Sequence, residues 1–190
     1  MKPQVRVLAF DDGPFSFKDA KAKIAGVVAR LPAYIEAVLV GEVEVDGRDA
    51  TTVLCEMIRN SRYREQVRLI ILDGAALGGF NVVDLSLLHR CTGIPVATVT
   101  REKPDMNAVR DALQAHFEDW EERWHLLAQS TPVRVSTGHK PIYVDCIGLE
   151  IKEAVQVIRQ SIVRGALPEP LRIAHLIATA VSTGESRGRA

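Results

Sequence analysis

Two aspartates in this sequence stand where a metal ion would need them. Asp11 ends a short apolar run, Val5 to Phe10, and Asp73 ends another, Val67 to Leu72, with Gly74 directly behind it. Apolar runs of that length, closed by turn residues, are expected to form buried strands. If the two strands are parallel neighbours, two carboxylates meet at one edge of a sheet and repel each other. A divalent cation relieves that repulsion. Magnesium takes oxygen ligands and keeps several waters, so two or three carboxylates suffice to hold it. Asp49, at the start of an expected helix, offers the third, and magnesium or manganese is the ion expected. Each aspartate also has an ordinary explanation, since Asp before Gly after a strand is common turn and cap chemistry.

The surrounding pattern supplies the elements that would position these acids. Lys23 to Arg30 and Tyr34 to Val45 are β-branched and partly alternating, and Leu31-Pro32-Ala33 separates them, which predicts consecutive antiparallel strands. Ala50, Val53, Leu54, Met57 and Ile58 recur at helical spacing, with Asp49 or Thr51 as cap. The Val67 to Leu72 run is apolar throughout, as in strands buried on both faces. A second helix is expected from near Val82, then a strand over Ile94 to Val99. One or two amphipathic helices fall within Asp105 to Gln129, and a hairpin brackets Gly138. Two further helices follow, separated by Pro168-Glu169-Pro170.

That order predicts an α/β fold: a mixed five-stranded sheet with the first strand central, an antiparallel meander followed by parallel strands, and flanking helices. Ligands of such sheets bind beyond the carboxyl ends of the parallel strands, which is where the acids fall. One domain over residues 1–190 is expected, with a flexible tail over about 182–190.

Composition narrows the classes. The 24 basic and 24 acidic residues cancel, which argues against coating nucleic acid by charge alone, because non-specific binding needs many phosphate contacts. A local basic groove remains compatible. No signal-like or membrane-spanning run is visible, so a cytoplasmic protein without a membrane partner is expected. Cys55, Cys91 and Cys146 lack zinc spacing and are expected to be buried, reduced and unbridged.

Longer strings carry a resemblance. Phe10-Asp11-Asp12-Gly13-Pro14-Phe15, Asp46-Gly47-Arg48-Asp49-Ala50-Thr51 and Leu72-Asp73-Gly74-Ala75-Ala76-Leu77-Gly78-Gly79-Phe80-Asn81 recur in the uncharacterised, largely archaeal family of endonuclease V-like proteins. So do Leu167-Pro168-Glu169-Pro170-Leu171-Arg172-Ile173-Ala174-His175 and Gly184 to Arg189. The chain resembles that family over nearly its whole length. The resemblance implies the ribonuclease H-like fold and a divalent-metal-dependent nuclease acting on DNA or RNA. Asp11, Asp73 and Asp49 would be both catalytic acids and metal ligands, and Arg101 would stand where the enzymes carry a lysine. Gly78, Gly79, Asn81 and Arg172 would contact substrate.

Departures from true endonuclease V accompany the match. Asp49 replaces a longer glutamate. Arginine stays charged and cannot donate a proton near neutral pH. The enzymes' Gly-His pair falls at Ile147-Gly148, so that histidine is absent, and Gly138-His139 lies too early to replace it. The Tyr-x-Pro-Gly wedge has no counterpart. A catalytically silent nucleic-acid or nucleotide-binding module therefore stands as the alternative, a purely structural role for the acids as a third, and a homo-oligomer is left open. For His175, packing is the expected role. The pair Trp120 and Trp124 is expected to form the buried face of a helix.

Overall fold

The computed structural model describes residues 5–187. Nine strands and six helices alternate along it. Strands β1 (Arg6–Asp12), β2 (Lys21–Arg30) and β3 (Tyr34–Glu44) form the antiparallel meander. Helix α1 (Ala50–Arg59) leads to β4 (Val67–Asp73), which returns parallel to β1. A two-stranded ribbon, β5 (Ala76–Leu77) with β6 (Asn81–Val82), precedes α2 (Leu85–Thr92) and β7 (Val96–Thr100), parallel to β4. Then come α3 (Met106–His116), α4 (Trp120–Ala128), β8 (Val133–Val135), β9 (Ile142–Ile147), α5 (Ile151–Ser161) and α6 (Glu169–Thr183).

The sheet order is β3-β2-β1-β4-β7-β9-β8. The mixed α/β sheet is as expected, with β1 inside it between β2 and β4. It has seven strands and not five, because β9 pairs antiparallel with β7 and brings β8 with it. Helix α2 starts later than the expected Val82, because Asn81 and Val82 are held in the ribbon and the Asp84 side chain caps the helix by accepting the Leu87 N–H at 2.8 Å.

Alternation along β1 and β4 divides the core between two faces. Leu8, Phe10, Ile70 and Leu72 point to the face covered by α1 and α2, where they meet Leu54, Ile58 and Leu88. Val7, Ala9, Leu69 and Ile71 point to the opposite face, against Ile158 of α5 and Leu171 of α6. All four β4 residues are fully buried, and each contributes roughly 1.5–3 kcal/mol of hydrophobic stabilisation.

The cysteine expectation is overturned. Cys55 of α1 and Cys91 of α2 form a disulfide with Cα atoms 6.3 Å apart, and only Cys146 is free. The helices lie side by side on one face of the sheet, a proximity that a sequence separation of 36 conceals. Of the tail expected over 182–190, Ser182 and Thr183 belong to α6, Gly184 closes that helix at φ 86°, and residues 188–190 lie outside the described residues. Among the described residues, no helix is long and apolar enough to cross a membrane.

Candidate metal centre

β1 and β4 stay in parallel register up to the pair Phe10–Leu72. Asp11 and Asp73 are the next residue of each strand, so their backbones are neighbours at the carboxyl edge of the sheet. By alternation both side chains leave on the face that carries Val7, Ala9, Leu69 and Ile71, which is the face under α6. Asp12 leaves on the other face.

Asp11 is 4% exposed. Its Oδ1 accepts the Asp12 N–H at 2.8 Å, and its Oδ2 lies 2.9 Å from Nδ1 of His175, a half-exposed side chain on α6. The Asp73 carboxylate accepts no hydrogen bond from any described residue. Burial and then the Asp11 charge push it up to about 7, against the opposing pull of Arg101 and His175. The contact with Asp11 raises the His175 value above that of a free imidazole. Two acids, an arginine and a histidine thus share one electrostatic site.

Glycine makes the approach of α6 possible. A Cβ on Gly13 would lie 2.3 Å from Ser182 Oγ and 2.4 Å from the Ala178 carbonyl oxygen, so only hydrogen fits between the end of β1 and the helix. Asp12 works on the opposite face, where its Oδ2 accepts the Gly78 N–H at 2.6 Å. Burial, partly offset by that bond, pushes Asp12 up to about 6.

The other expected site residues separate into two groups. Arg101 stands beside Asp73, and Arg172 lies one helical turn before His175, held by Glu169 at 2.8 Å. Asp49, however, does not join the acid pair. Its Oδ1 accepts the Glu44 N–H at 3.1 Å and the Asn81 Nδ2–H at 2.6 Å, which commits it to the start of α1. Among the described residues, no three His, Cys, Asp or Glu side chains form a metal-holding group, and of the expected trio the structure brings only Asp11 and Asp73 together.

Asn81 and Gly78, expected to contact substrate, are buried, and Asn81 is 0% exposed. The Asn81 amide is engaged on both sides: Oδ1 accepts the Ala50 N–H at 3.0 Å and Nδ2 donates to the Glu44 carbonyl at 2.9 Å. Gly79, at φ 91°, sits where a Cβ would strike Asp46 Oδ1 at 2.3 Å. That carboxylate already accepts the Phe80 N–H at 2.8 Å, so Gly79 serves the turn between β5 and β6, although it also borders a cleft beyond Asp73. His175 is the residue that sequence reading undervalued. Its signal lay in the buried stripe Leu171, Ala174 and Ala178, which places position 175 at the margin of the packed face.

The donor chemistry fits a hard divalent ion. Two carboxylates on adjacent strands, one lacking any hydrogen-bond donor among the described residues, would offer such an ion oxygen ligands.

The fold is that of an endonuclease V-like α/β protein. Human ENDOV superposes with a TM-score of 0.57 at 16% identity over 90% of this chain and 81% of that one, which shows a shared fold. The chain belongs to the family described as Endonuclease dU, which it matches over residues 3–182. Similar relatives include a UPF0215 protein of Methanosarcina barkeri, 44% identical over 191 residues, covering 100% of this chain and 97% of that protein. Another, from Thermococcus kodakarensis, is 46% identical over 191 residues, covering 98% and 97%. A solved protein of unknown function from Archaeoglobus fulgidus superposes with a TM-score of 0.83 at 39% identity, over 93% of this chain and 98% of that one.

Proposed function

We propose that this protein is a divalent-metal-dependent nuclease in which Asp11 and Asp73 hold magnesium or manganese. The observation that carries the reading is the pair itself: carboxylates on neighbouring parallel strand ends, with Asp73 pushed up to about 7 by burial and the Asp11 charge. An ion bound there would activate water and neutralise charge on a phosphate. Arg101 would orient a phosphate oxygen with its planar guanidinium. His175 fixes the Asp11 carboxylate through Nδ1 and leaves Nε2 for a substrate oxygen, so a proton-transfer group stands at the site although the aligned position lacks one. Asp49 acts by positioning α1.

Support for nucleic acid as substrate comes from the family description and the endonuclease V fold. The description puts a strand containing deoxyuridine first on a panel of single-stranded and structured DNA and RNA. Manganese-dependent cleavage is expected for the wild type, and Asp73→Asn, the loss of a ligand itself, should lower it by more than the roughly 10- to 100-fold that loss of an outer-shell partner costs. Calorimetry should show weakened manganese binding in the same variant. Unchanged cleavage in Asp73→Asn would sink the assignment. Binding of the panel without turnover would favour a silent nucleic-acid-binding module.

A further inference from the structure

Next to the carboxylate pair the surface opens into a cleft of about 500 Å³, walled chiefly by Arg101, His139, Lys140, Arg164, Leu167 and Arg172. Among the described residues, no carboxylate lines it. The cations arrive from separate segments: Arg101 follows β7, His139 and Lys140 sit in the β8–β9 turn, and Arg164 lies between α5 and α6. The Arg172 guanidinium is matched by Glu169. Arg101, Lys140 and Arg164 are exposed and form no salt bridge or side-chain hydrogen bond with any described residue. In a chain whose formal charges cancel, three unmatched cations in one cleft are a local arrangement and not a consequence of composition.

Two links join the cleft to the acid site. Arg101 lines the cleft and acts on Asp73. Arg172 and His175 lie one turn apart on α6, one facing the cleft and the other bonded to Asp11. A neutral base or sugar has no use for three unpaired cations, and a single carboxylate needs one. A series of phosphates on one strand matches cations delivered from three directions, and a strand at the acid pair must continue somewhere.

We propose that this cleft is a second subsite of the same strand path, holding backbone phosphates that flank the one at Asp11 and Asp73. The proposal rests on nucleic acid being the substrate. Its chemistry is phosphate recognition by Arg101, Lys140 and Arg164, and its source is a single strand, with a free phosphate ion as the competing source.

The test is fluorescence anisotropy of a labelled oligothymidylate, without added metal, across a salt series. It compares wild type, Lys140→Ala/Arg164→Ala, and Arg64→Ala/Arg68→Ala, the last pair lying at the opposite end of β4. Each phosphate contact on a single strand contributes about 0.7 to the slope of log affinity against log salt, so the cleft variant should lose about 1.4. The Arg64/Arg68 variant should match wild type, and inorganic phosphate at equal ionic strength should not displace the strand. Wild-type binding with an unchanged slope in the cleft variant would overturn the subsite and leave the nuclease reading standing. Specific displacement by inorganic phosphate would overturn it in favour of a small-anion site. No wild-type binding would overturn the subsite, and the manganese cleavage panel would still decide the nuclease reading. Binding with the expected slope loss but no manganese-dependent turnover would uphold the subsite and sink only the catalysis.

Discussion

Removing a proton from Asp73 costs more in the folded chain than in the unfolded one. Its ordinary value is 3.8, and the folded value is about 7, so over that window the folded state holds more protons and stability falls as pH rises. Asp12, at about 6, acts in the same direction. Metal-free protein should therefore show a denaturation midpoint that declines between pH 4 and 7, with the part above pH 6 lost in Asp73→Asn. A midpoint rising over that range would contradict the burial assigned to this carboxylate. Saturating manganese should flatten the curve, because the ion replaces the proton as counter-charge. Asp11 and Asp73 could be read from sequence because each directly follows an apolar strand. His175 could not be placed, since its nearness to Asp11 depends on how closely α6 crosses β1, and that is set by the missing side chain of Gly13.

The elements around the site are held by polar side chains that a linear reading sees only as turn formers. Asn81 closes the first backbone N–H of α1 from 31 residues away, while Asp49, at the expected capping position, makes no cap bond. Asn81→Ala would strand the buried Ala50 N–H and remove one of two donors from the half-buried Asp49 carboxylate, and should cost about 1–3 kcal/mol by chemical denaturation. A loss under about 1 kcal/mol would mean that water replaces the amide. The Cys55–Cys91 bridge ties the same helix to α2. Closing a loop of that separation stabilises by about 3–4 kcal/mol in the chain-entropy estimate. The urea midpoint should fall with reductant, and alkylation of unreduced, denatured protein should label one of the three cysteines. Labelling of all three would refute the bridge. Helical and strand periodicity were legible here. The bridge and the cap were not, because both join residues that meet only after the crossover between β4 and β7 is made.

At the scale of the whole molecule, sheet order was legible for the meander and the parallel strands, where apolar runs and turns follow one another closely. The hairpin's place was hidden: β8 and β9 are short, and nothing local announces that β9 pairs with β7. The face of the sheet opposite α1 depends on α6, which covers β1 and β2. A chain stopped at Leu167 should expose Val7, Ala9 and Ala29, bind a hydrophobic dye and lose its near-ultraviolet circular dichroism, while its disulfide-linked face keeps helical signal. A sharp, cooperative melt in that chain would show that α6 is dispensable.

The position of α6 along the chain also gives the site a history. During synthesis Asp11 and Asp73 emerge early, and their strands are able to pair before residue 100 is made. His175 and Arg172 emerge with the last helix described, after β9 has closed the sheet. Until then the acid pair lacks the helix that covers it and its histidine, with only part of the cationic cleft in place. A nascent chain on a ribosome, surrounded by RNA, therefore carries the carboxylates for most of its synthesis in an incomplete site. The order of elements delays the finished centre until α6 can dock on β1.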